Sequence, residues 1–251
     1  MKGWSTLSRR LLPWLALIGI WEVLSRVFPQ IPSAVHVLGL VGRRLTDAEF
    51  LSALGGSLRR MVIGYGAVCA VGIGAGVVVG RTRWLNELFG TVAVAIHAMP
   101  GAVWVPLAVF FFGLSEAAVI FTIFLGAAGI TMANTSNGIR EVPPGLLRAA
   151  ETMGARGPAL FWHVTLPAAV PRIVDGLRLA WAFGWRALMA GELLIPSIKG
   201  MGRLLNEVAR ARQLDQLIAF MIIIAVVGVV VDYGFFRRLE RGIAARWGLA
   251  G

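Results

Sequence analysis

The sequence predicts an all-α fold, a polytopic membrane bundle of about six transmembrane helices. Three observations carry that prediction: 57% of the 251 residues are hydrophobic, only 15% are charged, and the apolar residues fall in blocks of bilayer-spanning length. A soluble domain is about 25% charged, and a mean hydropathy of +0.76 leaves too little polar surface to cover a soluble core. Intrinsic disorder and a free-standing soluble enzyme are both poor readings of such a chain.

A helix needs about 20 apolar residues to cross the hydrocarbon, and six runs approach that length: Leu11 to Phe28, Met61 to Val79, Leu88 to Phe112, Ala117 to Ala133, Val174 to Ile195 and Leu217 to Phe236. The first follows Lys2, Arg9 and Arg10 but carries Glu22 and Arg26 and lacks a small-x-small cleavage site, so it reads as a retained helix. Glu22 and Arg26 stand one turn apart and neutralise each other. Asp47 to Arg60 predicts a short helix lying on the outer surface. The third run contains Pro100 and Pro106 and is expected to be kinked or broken. Residues 1–56 therefore form an N-terminal transmembrane helix with an external surface segment. Residues 57–251 form the core of the membrane domain, with a cytoplasmic loop at 141–167 and no internal repeat.

The net charge of +11 comes almost wholly from arginine, with Lys2 and Lys199 the only lysines, and it is spread through loops with no basic tract. That pattern marks membrane topology and contact with anionic lipid, with no nucleic-acid partner. Placing the N-terminus in the cytoplasm puts 14 basic residues in the inner loops and 8 in the outer ones, with Arg26 and Arg186 inside spans. Both termini are thus predicted to be cytoplasmic.

Much chemistry is missing. Neither lysine ends a glycine-rich Gly-Lys-Ser/Thr loop, so the chain has no nucleotide-binding P-loop. His36, His97 and His163 are scattered, and the single Cys69 reads as a small buried hydrophobe, so a metal site or disulfide is not expected. No carboxylate pair marks an ion path at mid-membrane, which disfavours an ion-coupled secondary transporter. Gly72 and Gly76, at GxxxG spacing, predict close helix packing within one subunit or between two. Trp84, Trp104 and Trp247 read as interfacial anchors, and Asn134 and Asn137 as backbone caps at the end of the fourth span.

The loop from Glu141 to Pro167 has distinctive punctuation. Pro144 suits the first turn of a short helix and Gly154 its left-handed cap, while Pro158 opens a second short helix that Pro167 closes. Leu146, Leu147, Ala149, Ala150 and Met153, then Leu160, Phe161, Trp162 and Val164, carry apolar surface into water. That surface either docks in a partner's groove or folds back on its own spans.

Ala149, Ala150, Gly154, Val164, Leu166 and Pro167 match at the right spacing the "EAA" signature (Glu-Ala-Ala, three residues, Gly, nine residues, Ile-x-Leu-Pro). The chain thereby resembles the permease subunits of bacterial binding-protein-dependent ABC importers. Arg148 stands where the family has Glu, and Val164 where it has Ile. The resemblance extends from about Ser57 to Arg246. The stretches Ser57 to Arg60, Pro106 to Ser115, Gly176 to Arg178 and Trp185 to Glu192 look most like the nitrate, sulfonate and taurine subgroup. It implies a type I importer fold in a bacterial inner membrane, and a coupling helix that docks in a cleft of a cytoplasmic ATPase. The role falls by analogy on Leu146, Leu147, Arg148, Ala149, Ala150, Glu151, Met153 and Gly154. It also implies two ATP-binding subunits, a second copy of the permease and an external solute-binding protein. ATP and Mg would be held by the ATPase and no cofactor by this chain. The expected solute is a small oxyanion such as an aliphatic sulfonate, taurine or nitrate; similar permeases carry thiamine precursors, riboflavin or aromatic acids.

An arginine within a span costs about 2.5 to 3.5 kcal/mol on insertion scales and needs a reason. Arg186 has no carboxylate at helical spacing and lies among small and aromatic residues. Either it faces the translocation path and attracts an anion, flanked by Trp181 and Trp185, or it pairs with another helix and locks packing.

Overall fold

The computed structural model describes the backbone of residues 2–246, and side chains from Leu12 to Ala245 apart from residues 90, 91, 93–98 and 244. The chain folds into helices: α1 (Lys2–Val27), α2 (Ala34–Arg44), α3 (Ala48–Arg81), α4 (Arg83–Ala98), α5 (Trp104–Phe112), α6 (Glu116–Arg140), α7 (Pro144–Thr152), α8 (Gly157–Leu160), α9 (Leu166–Leu194), α10 (Met201–Arg210), α11 (Leu214–Val231) and α12 (Arg237–Arg246). No strand occurs among the described residues. Three stretches are long and apolar enough to cross a bilayer: α3, α6, and the run Leu214–Ile243 that joins α11 to α12 through a π-helical turn. The fifth predicted span is the inner part of α9, whose apolar character is diluted by Arg172, Asp175, Arg178, Arg186 and Glu192.

Two expectations are corrected by local physics. The segment from Asp47 to Arg60 is not a separate surface helix. Asp47 caps it by accepting from the Glu49 N–H, and with no proline before Arg81 it runs unbroken into the second span as α3, burying Phe50, Ala53, Ser57 and Arg60 on the way. Nor does Pro167 close the second loop helix. It sits in the first turn of α9, where its missing N–H costs nothing, and Phe161–Thr165 form a π-helical turn leading straight into α9. The break in the third span is real: α4 stops at Ala98, Pro100 is followed by the 3₁₀ turn Gly101–Val103, and α5 resumes at Trp104. Pro106, inside the first turn of α5, adds no second break.

The centre of the molecule is α6 packed between α3 and α9. Gly64, Gly72, Gly76 and Gly80 form one face of α3, and a Cβ on Gly72 would stand 2.7 Å from the Thr131 Cβ of α6. Gly66 and Gly74, on the opposite face, have nothing within 4 Å. The GxxxG spacing therefore serves contact within the chain. Met61, Ile123, Trp181, Trp185, Leu188 and Phe236 fill the core where these helices meet.

Candidate functional site

A different candidate site stands at each end of this bundle and in the middle. At one end lies α7. Pro144 occupies its first turn, and its C-terminus is closed by a Schellman motif in which the Ala155 N–H donates to the Ala150 carbonyl at 3.0 Å and the Gly154 N–H to the Glu151 carbonyl at 3.0 Å. Gly154 takes φ +93°, a left-handed conformation that side-chain-bearing residues rarely adopt. Not one residue of α7 is buried. Leu146, Arg148, Ala149, Glu151, Met153 and Gly154 are exposed and Leu147 and Ala150 half-buried, with Met153 at 89%. Arg148 makes only a 3.4 Å contact to the Pro144 carbonyl one turn back.

The second half of the loop behaves oppositely. Phe161 is buried with Ile139, Ala169 and Ile173, and the Arg81 guanidinium lies 4.6 Å from its ring centroid. Trp162 remains 62% exposed. Of the two fates open to the apolar loop, the stretch around Phe161 folds back on its own helices, whereas α7 stands clear of them.

In the C-terminal third of α9, Arg186 is exposed, with its guanidinium 5.4 Å from the Phe183 ring centroid on its own helix. No ion pair involves it among the described residues, in contrast to Arg26, which lies 3.9 Å from Glu22. Arg186 borders a cavity of about 540 Å³ between α9 and α11, lined also by Trp181, Trp185, Met189, Met221 and Ile224. The two indoles stack at 6.3 Å with an interplanar angle of 11°. Trp185 Nε1 donates to the Ile224 carbonyl at 3.2 Å, whereas the buried Trp181 Nε1 has no partner. Asp232, also on the cavity wall, is held by Arg178 through bonds of 2.6 and 2.7 Å, and Arg178 also reaches Glu240 at 2.9 Å. One guanidinium thus serves two carboxylates.

At the far end the structure brings together residues that sequence reasoning left apart. Glu192, fully buried, accepts from Arg60 Nη2 at 2.7 Å and Nε at 3.0 Å, from Ser57 Oγ at 2.8 Å and from the Gly202 N–H at 3.0 Å. Arg60, 2% exposed, continues to the Lys199 carbonyl at 2.7 Å and to Glu116 at 2.9 Å. The cluster ties α3, α6, α9 and the start of α10 together. Arg60 and Glu192 are 132 residues apart, so nothing local announced the pair; the one usable signal was a charge falling in register with buried apolar positions. A fully buried carboxylate does exist, then, but with its charge met by an arginine it is no free proton carrier.

The remaining expectations fall as follows. Trp84 is exposed, Trp104 is half-buried with an unpartnered indole N–H, and Trp247 lies outside the described residues. Asn134 bonds the Ile130 carbonyl inside α6 at 2.9 Å, so it back-bonds within the helix instead of capping its end, and Asn137 too lies within α6, which runs on to Arg140. No group of three metal-ligating side chains occurs among the described residues.

The chain belongs to the family of binding-protein-dependent transport system inner membrane components, whose model matches residues 70–245. A provisionally named ABC transporter permease of Methanocaldococcus jannaschii is 34% identical over 89% of this chain and 86% of its own length. A provisionally named aliphatic sulfonates transport permease of Escherichia coli K12 is 31% identical over 95% of this chain and 92% of its own. The bicarbonate transport system permease of Synechococcus elongatus is 30% identical over 74% and 67%, respectively. The protein is thus an ABC transporter permease subunit, a multi-helix component of the inner membrane.

Proposed function

We propose that this chain forms the translocation path for an anionic solute in an ATP-driven importer, and that α7 is the helix through which a cytoplasmic ATPase drives it. The observation that carries the reading is α7 itself: a nine-residue helix with no buried residue, fixed at its end by a Schellman turn, that presents Leu146, Ala149 and Met153 outward. Such a rigid apolar ridge fits a helix-in-groove contact. Leu146, Leu147, Arg148, Ala149, Ala150, Glu151, Met153 and Gly154 form the contact, with Arg148 and Glu151 supplying its charges. Both termini lie in the cytoplasm with α7. ATP and Mg bind and are hydrolysed in the partner, since the chain has no P-loop of its own. Two permease copies and two ATPases form the working unit, and an external binding protein delivers the solute. ATP binding draws the two α7 helices together and turns the paired membrane domains outward; hydrolysis resets them.

Two observations support an oxyanion as solute: relatives named for sulfonate and bicarbonate transport, and an arginine on α9 with no carboxylate partner among the described residues, beside an apolar cavity. Arg186 attracts the anion, and Trp181 and Trp185 form the wall beside it.

The test is co-purification from native membranes through a tag on this chain. An ATP-binding subunit is expected with the wild type and is lost with Gly154→Pro, which cannot adopt φ +93°, while the helical content of the variant is unchanged. Absence of any ATPase from the wild-type complex would overturn the reading.

A further inference from the structure

We infer that α12 carries a binding site for the headgroup of an anionic phospholipid, formed by Arg237, Arg238 and Arg241 at the end of the bundle that bears α7. It needs only that the chain spans a membrane, and so stands apart from the ATPase and solute readings above. The depth of these arginines points to headgroups. α11 continues into α12 through the π-helical turn Asp232–Phe236, and Leu214–Ile243 is a single stretch long and apolar enough to cross a bilayer. About 20 residues cross the hydrocarbon, so a span that begins at Leu217 ends near Phe236. The three arginines follow at once, about 1.5 to 7.5 Å further along the axis. The headgroup layer occupies that depth, about 5 to 7.5 Å on each side of the bilayer. Tyr233 and Phe235, 54% and 59% exposed, precede them where an aromatic belt meets the tops of the acyl chains.

These guanidiniums are also free to bind. Arg237, Arg238 and Arg241 are all exposed, and none makes an ion pair among the described residues. Arg237 lies 5.1 Å from the Tyr233 ring centroid, and Arg241 Nε donates to the Arg237 carbonyl at 3.2 Å. Such contacts orient the two side chains without neutralising them. Spacings of three and four residues put Arg241 on one face with both other arginines. Phe235 and Leu239, one turn apart and exposed, form an apolar strip on the same run. Guanidiniums suit a phosphate, and the strip suits the chains below it. Glu240 does not cancel the charge, because Arg178 of α9 holds it at 2.9 Å. That bond fixes α12 to the bundle, so the arginines form part of the fold and not a loose basic tail. By contrast Arg172 and Arg178, the arginines of α9 at this end, are taken up by Glu141 and by Asp232 with Glu240. A general excess of basic residues on one side sets orientation, but orientation does not require three unpaired guanidiniums on one helix at headgroup depth.

The test uses the full chain, purified with whatever subunits accompany it, in phosphatidylcholine nanodiscs that contain a trace of phosphatidylglycerol with a photoreactive headgroup. Crosslinks are mapped by peptide mass spectrometry. The wild type is expected to be labelled between residues 233 and 243, and unlabelled phosphatidylglycerol should compete the label away where added phosphatidylcholine does not. Labelling should fall as salt is raised. An arginine near an anionic surface is worth about fivefold in affinity. Arg238→Gln alone should therefore lower labelling about fivefold, and the triple variant Arg237→Gln, Arg238→Gln, Arg241→Gln at least about tenfold. Lysine at all three positions keeps the charge and should keep the label. Arg83→Gln, which removes an arginine paired with Glu87, should leave this segment's label unchanged. No label in the segment, equal competition by phosphatidylcholine, or labelling indifferent to the glutamine substitutions would each overturn the inference. Undiminished labelling together with loss of an accompanying subunit in the triple variant would also overturn it, by assigning the arginines to an acidic protein surface. If the triple variant fails to insert, Arg238→Gln decides.

Discussion

The two ends of the bundle reverse the usual relation between polarity and burial. At one end Arg60, Glu192 and Ser57 are charged or polar and wholly enclosed; at the other, Leu146 and Met153 are apolar and stand in the open. The difference teaches what each end is for. A buried ion pair survives only where every donor and acceptor is met, and removing one member strands the other. Glu192 accepts from three residues on two other elements, so the cluster makes the end that joins α3, α9 and α10 a single rigid block. An apolar ridge in water gains nothing until something covers it. The clamp serves the fold, whereas no residue of α7 is buried by the described residues of this chain.

Substitutions break this comparison in order of size. Glu192→Ala leaves Arg60 buried without its partner and is expected to cost about 3 to 5 kcal/mol of stability, read as a large drop in melting temperature and in membrane-inserted protein. An equal loss from Arg59→Ala would dissolve the distinction, because Arg59 contacts only the half-exposed Glu116 and sits 60% exposed itself.

Next comes Gly76→Val. A Cβ there would meet the Thr135 Cβ and the Met132 carbonyl of α6, so the two helices must separate at a cost of about 1 to 3 kcal/mol. Gly74→Ala, facing open space two residues away, is expected to leave the melting temperature unchanged or raise it slightly.

Met153→Glu and Leu146→Glu should shift stability by no more than about 0.5 kcal/mol, being exposed, yet lower the amount of ATPase recovered with the tagged chain and slow ATP-dependent uptake by at least about tenfold. Unchanged uptake in both would remove α7 from the drive. The smallest effect on stability is expected for Arg59→Ala, at most about 1 kcal/mol, and it should shrink further at high salt.

Much of this was legible in the chain itself. Pro144, Gly154 and the apolar positions between them predicted α7 and its left-handed cap, because a helix end depends on residues within one turn of it. Pro100 marked the break between α4 and α5 for the same reason. Where the reading failed, one cause was local and the other partly distant. Pro167 looked like a stop because a proline ends a helix it meets from the N-terminal side, yet here it begins one. Asp47 to Arg60 looked like a surface piece, yet with no proline to stop it the stretch runs on as α3, and the enclosure of Arg60 by Glu192, Glu116 and the Lys199 carbonyl makes it part of the core.

By itself, then, the sequence determined the membrane class, the helical elements, the glycine-capped helix of the loop and an arginine in the fifth span with no carboxylate at helical spacing, because hydropathy, caps and breakers act over one or two turns of chain. Which glycine face of α3 meets α6, which arginine finds Glu192, and that Trp181 and Arg186 border one cavity were decided only by the tertiary structure. Those depend on the rotation and crossing of helices whose contacting residues lie from 39 to 132 positions apart, and that geometry follows from the packing of the whole bundle, not from any local run of residues.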